Sequence, residues 1–205
     1  MVTVTNRARG AETPPQRPRG VEKRSTQRVI AWGLAVSVVA TLLAFPFESV
    51  GAQAWTGLLF LLSALALLPA ALLLAWRAGQ EGSELAAVGF VTVAFYALGT
   101  TVDAALLARD LPEASVGMLP ATWALLALGL ILVGSTSHLP GWVRLVGAGA
   151  AVGHLVATVA VLFGAEMPPT GAEPTAWAPM VVAGSKLLYL ATLVGWAMSI
   201  RAPRR

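Results

Sequence analysis

From residue 28 onward the sequence alternates between long apolar runs and short breaks carrying proline, glycine and charge. Six runs stand out, over residues 29–45, 55–76, 84–107, 119–133, 142–163 and 178–200. Their lengths lie near the ~20 residues with which a helix rising ~1.5 Å per residue crosses a ~30 Å hydrocarbon core. The expected fold is therefore all-α, a polytopic bundle of six transmembrane helices. Pro46 and Glu48 are expected to end the first helix, since neither readily continues a lipid-facing one. Arg77 marks the end of the second, the polar stretch 109–113 that of the third, and the turn at 135–141 that of the fourth. Pro168, Pro169, Gly171 and Pro174 predict an irregular loop before the last. Pro69, inside the second run, predicts a kink. The two halves show no self-similarity of the kind found in inverted-repeat transporters.

Residues 1–27 have the opposite character, rich in Arg, Pro, Thr and Glu and nearly devoid of large apolar side chains. Such a segment buries too little surface to offset chain entropy. The expected organisation is a disordered basic tail over 1–27, a membrane domain over 28–201 and a short basic end over 202–205.

Charge orients the spans. With the amino terminus inside, the inner side receives seven tail cations, Arg77, Arg144, Arg201, Arg204 and Arg205, whereas the outer side receives Arg109 alone. That asymmetry follows the positive-inside rule and predicts both termini in the cytoplasm. Trp55, Trp76, Trp142 and Trp177 fall near the expected interfaces, where amphipathic rings are favoured. The competing reading takes the first run, followed by Ala52, Gln53 and Ala54, as a cleaved secretory signal, leaving five spans.

Composition agrees with a membrane chain. Charged residues are 12% and hydrophobic ones 57%, against about 25% and 45–50% in soluble domains. The net charge of +4 comes from the chain ends rather than from a basic face, so nucleic acid is not an expected partner. The absence of cysteine excludes disulfides and thiol chemistry.

Ionisable side chains within a bilayer are costly, so each embedded one is a candidate for function. Lys186 is expected roughly 12 Å deep from the outer side and His154 roughly 18 Å from the inner side, a shared depth. Asp103, near the outer end of the third span, is the expected partner of Lys186. Thr92, Tyr96, Thr100 and Asp103 recur at helical spacing and share a face. Lys186, Tyr189, Leu193 and Trp196 share another, as do His154 and Thr158. Polar faces turn toward protein rather than lipid, so the three are expected to line one interior pocket, with Glu48 and Glu166 at its rim. The plainer reading stands beside this one: a snorkelling or structurally paired lysine, a histidine bonded within the bundle, and hydroxyl stripes serving as interhelical glue. The chain has twelve arginines and two lysines, yet its embedded cation is a lysine, which unlike arginine is able to act as base or nucleophile.

Gly149 and Gly153 form a small-xxx-small pair that predicts close helix packing; no strand precedes them, so the glycine run 147–153 is not a nucleotide fingerprint. Paired haem ligation lacks a second embedded histidine, zinc hydrolysis lacks clustered ligands, and prenyl transfer lacks an aspartate-rich motif. No cofactor or metal is expected. The segment 138–147, reading His-Leu-Pro-Gly-Trp-Val-Arg-Leu-Val-Gly, resembles a feature of uncharacterised six-helix bacterial membrane proteins, which carry a Leu-Pro-x-Trp turn leading into a glycine-rich helix. That resemblance implies a multipass fold and assigns no functional residues. Arginine-rich, lysine-poor usage suggests a high-GC bacterium, hence the bacterial cytoplasmic membrane. The expected role is a binding, sensing or scaffold component, with a proton-linked transporter or an intramembrane lipid or isoprenoid enzyme as alternatives. Membrane lipids are the expected partners, together with a homo-oligomer or another membrane protein.

Overall fold

A computed structural model describes residues 19–109, 111, 119–137, 139–163 and 177–201. Among them the chain forms six helices and no strand: α1 (Arg19–Ser49), α2 (Gln53–Gln80), α3 (Glu84–Leu107), α4 (Leu119–Gly134), α5 (Gly141–Leu162) and α6 (Trp177–Arg201). All but α4 are long and apolar enough to cross a membrane. The 16 residues of α4 give a rise of about 24 Å, short of a ~30 Å core.

The first two connections are tight because glycine supplies their left-handed residue. Gly51 has φ 70° between α1 and α2, and Gly82 has φ 74° between α2 and α3, a conformation that costs a side-chain-bearing residue about 1–2 kcal/mol. Each helix packs antiparallel on its sequence neighbours, and α6 returns to α1, closing a ring. Close approaches between neighbours rest on small residues. A Cβ on Gly89 of α3 would stand 2.8 Å from the Val133 nitrogen and 3.0 Å from the Gly129 carbonyl oxygen of α4. The predicted packing role of Gly149 and Gly153 holds: a Cβ on Gly153 would lie 2.5 Å from that of Ser185 on α6.

The distribution of side chains differs from a water-soluble protein's. Outside stand large apolar residues such as Leu58, Leu62, Leu65, Phe95 and Leu98, each about half exposed or more, whereas alanines fill the interior, among them Ala70, Ala71, Ala97, Ala127 and Ala150. The interior also holds Ser37, Thr41, Ser63, Asp103 and His154. With lipid outside, leucine gains little by turning inward, and association depends instead on close backbone packing and hydrogen bonds. The chain is a membrane-embedded helical bundle.

The first helix begins at Arg19, and residues 1–18, most of the segment expected as a tail, lie outside the described residues. One sequence expectation needs adjustment near the start of the chain. Pro46 does not end α1, which continues through it to Ser49. A proline inside a helix removes one hydrogen bond, here the one that would be accepted by the Leu42 carbonyl oxygen four residues earlier, and the helix continues past it. Likewise α2 runs through Pro69 from Gln53 to Gln80.

Candidate functional site

Halfway along α6, Lys186 and Tyr189 are three residues apart and share a face. Across the ring, Tyr189 meets Tyr96 of α3 edge to face, with centroids 5.9 Å apart and planes at 80°. On its other side stands His154 of α5, at 6.3 Å and 78°. These rings bound a chamber of about 50 Å³ to which every helix contributes: Thr41 from α1, Ser63 from α2, Thr100 from α3, Trp123 from α4, His154 from α5 and Lys186 from α6. At about 10–15 Å³ for a single water, it has room for a few waters or a solute of a few atoms.

His154 is buried, with Nδ1 2.8 Å from the Ala150 carbonyl oxygen one turn earlier. A carbonyl only accepts, so Nδ1 carries the proton, and in the neutral ring Nε2 is left as an acceptor. Ser63 organises the α1–α2 side of the chamber. Its hydroxyl donates to the Ser37 carbonyl oxygen at 3.1 Å, leaving its oxygen to accept from the Ser37 and Thr41 hydroxyls at 2.9 and 2.8 Å.

Lys186 does not pair with Asp103, as the sequence led us to expect. Its ammonium donates to both oxygens of Glu48, at 2.9 and 3.1 Å. The reason lies in α1: by running on through Pro46 it carries Glu48 to the α1–α6 seam, within reach of the lysine. Two rings flank the same ammonium, Phe60 at 5.3 Å and Phe45 at 5.8 Å from its nitrogen. A cation over an aromatic face gains about 0.5–2 kcal/mol, more as water is excluded. Glu48 is thus the ion-pair partner itself and not merely part of a rim.

Of the residues proposed from sequence, the structure gathers Tyr96, Thr100, His154, Lys186 and Tyr189 around this chamber. Thr158 lies outside its walls, donating to the His154 carbonyl oxygen at 2.8 Å. Asp103 is also outside them, buried with Oδ1 lacking a hydrogen-bond partner among the described residues. Glu166 lies outside the described residues. Sequence reasoning missed the Ser37, Thr41 and Ser63 cluster, although Ser37 and Thr41 sit one turn apart on an otherwise apolar helix, a legible sign. It also missed Phe45 and Phe60, which nothing separates from other core aromatics until the lysine is placed. Among the described residues no three His, Asp or Glu side chains converge as metal ligands would.

The arrangement offers a neutralised ammonium, an imidazole acceptor, two phenols and several hydroxyls to one small volume. Such a set can bind a small polar guest by hydrogen bonds and exchange protons with it. No family model, curated protein or solved structure matches the chain.

Proposed function

We propose that this chain is a multipass protein of the bacterial cytoplasmic membrane that binds or senses a small polar solute in the chamber between its six helices. One observation carries the reading: all six helices, apolar over most of their surfaces, place a wall residue at the same chamber. Orientation with both termini inside is supported by the arginines at the chain ends and at Arg77 and Arg144. Retention of the first helix, rather than its removal as a signal, is supported by its contribution of Thr41 and Glu48. Proton-linked transport is the second reading, favoured by the run of exchangeable groups from Glu48 and Lys186 to Tyr189 and His154. Catalysis on an isoprenoid or lipid is disfavoured by volume, since about 50 Å³ admits no such molecule.

The test uses full-length protein in nanodiscs, screened by thermal shift against ammonium, acetate, urea and methylammonium. At least one solute is expected to stabilise the wild type and to lose that effect in His154→Ala and Ser63→Ala. Stabilisation that persists in both variants, or a response to none of the solutes, overturns the binding reading. Proton flux in proteoliposomes abolished by Lys186→Met and His154→Ala would replace it with transport.

A further inference from the structure

A second cavity, of about 90 Å³, lies at the opposite end of the bundle, between the end of α2, the start of α3, the end of α4 and the end of α6. Its floor is apolar, with Phe90 and Trp196 in edge-to-face contact at 4.9 Å and 76°. Two of its wall residues hold a nitrogen in an unusual state. The Nε1–H of Trp196, on a residue only 2% exposed, and Nη1 of Arg77 are both buried without a hydrogen-bond partner among the described residues. The guanidinium is nevertheless fixed in place, because its Nε donates to Glu81 at 2.9 Å. Ser83 and Ser199 add hydroxyls to the same walls; the Ser199 proton is committed to the Gly195 carbonyl oxygen at 2.8 Å.

Indole and guanidinium nitrogens only donate, so their complement is an acceptor. Leaving a buried donor unmatched is costly, more so for a charged group. The cavity is large enough for a group of several non-hydrogen atoms. Its location narrows the choice. This end carries Arg77 and Arg144 and, by charge, faces the cytoplasm, where phosphate-bearing headgroups lie against the protein. Arg77 and Glu81 side chains are 20% and 26% exposed, so the cavity opens beside the headgroup layer while its Trp196 floor is buried. Guanidinium is the side chain best suited to a phosphoryl group.

We propose that this cavity is a phosphoryl-binding site, in which Arg77 Nη1 and Trp196 Nε1 donate to phosphate oxygens, and that the phosphate is that of a membrane lipid. The inference is independent of the polar chamber and survives if that chamber binds nothing.

Full-length protein in detergent is titrated with dihexanoyl-phosphatidylglycerol and, separately, with inorganic phosphate, following the indole N–H resonances of 15N-labelled tryptophan. The resonance lost in Trp196→Phe identifies Nε1. It is expected to shift on titration with the lipid, with an affinity about ten-fold weaker in Arg77→Gln. Trp196→Phe, which keeps the ring against Phe90 but removes the donor, is expected to retain fewer lipids in native mass spectrometry. A shift produced equally by inorganic phosphate would keep the phosphoryl site and overturn its assignment to lipid. An Nε1 resonance unmoved by either titrant, or lipid retention identical in wild type, Arg77→Gln and Trp196→Phe, overturns the proposal. Should Trp196→Phe fail to fold, lipid retention in native mass spectrometry by the wild type against Arg77→Gln still decides the outcome.

Discussion

The two cavities solve the problem of a buried polar group in opposite ways. In the chamber between the six helices, Lys186 has Glu48, His154 Nδ1 has the Ala150 carbonyl oxygen, and Ser63 has Ser37 and Thr41 as partners within the chain. At the Arg77 end, two nitrogens are buried with nothing to donate to among the described residues. The first region is built to stand alone, with spare capacity for a small guest. The second leaves Trp196 Nε1 and Arg77 Nη1 unmatched. A buried donor without a partner loses its desolvation free energy unrecovered, whereas a closed pair recovers most of it. Stability should therefore depend strongly on the chamber's partners and weakly on the unmatched donors.

The largest effect should come from opening the ion pair. Glu48→Leu leaves a part-buried ammonium without its carboxylate, and a loss of about 2–3 kcal/mol in unfolding free energy is expected, between the values for exposed and fully buried pairs. Adding Lys186→Met should restore much of it, because the two apolar side chains need no partner. Denaturant titration in mixed micelles measures both, and a double variant as unstable as the single one would show that the pair does not act as a closed unit. Next is His154→Ala, which removes the ring beside Tyr189 and enlarges the chamber, with an expected loss of about 2 kcal/mol. Ser63→Ala should cost about 1–2 kcal/mol, since it unties Ser37 and Thr41 at once. Smallest of all, Trp196→Phe should change stability by less than about 1 kcal/mol, the lost area being offset by removal of an unmatched donor. A large loss there in lipid-free detergent would erase the contrast between the two regions.

Helix packing supplies a check that does not depend on either cavity. Gly89→Ala places a Cβ against Val133 Cγ2 and two backbone atoms of α4, so a loss of about 1–3 kcal/mol is expected from overpacking. Thermal unfolding in the same micelles reads it directly.

Much of the fold was legible in the sequence because the bilayer sets a length and a polarity that each segment must satisfy alone. The third run, read as 84–107, matches α3 from Glu84 to Leu107. Likewise 142–163 differs from α5 by a residue at each end. The errors fell where local signals were balanced by neighbours. Pro46 and Glu48 look like a stop when α1 is read by itself, yet the helix passes through the proline and the carboxylate meets Lys186. The candidate site was legible in its membership and not in its pairing: the faces bearing Tyr96, Lys186, Tyr189 and His154 follow from helical periodicity. Trp196, placed on the same face as Lys186 by spacing, stands instead at the other end of the bundle with Phe90, because a face runs the whole length of a helix.

From the order of residues alone follow the membrane-length helices, roughly where they begin and end, and which stripe of each turns inward. Those are properties of a single segment in lipid, governed by hydrophobic length and a 3.6-residue period. That α6 closes against α1, so that Lys186 takes Glu48 rather than Asp103, is a matter of packing. Packing likewise brings Arg77 and Trp196, 119 residues apart, to the walls of one cavity. Both depend on the rotation and axial position of one helix against another, which small-residue packing sets through contacts that no single segment contains.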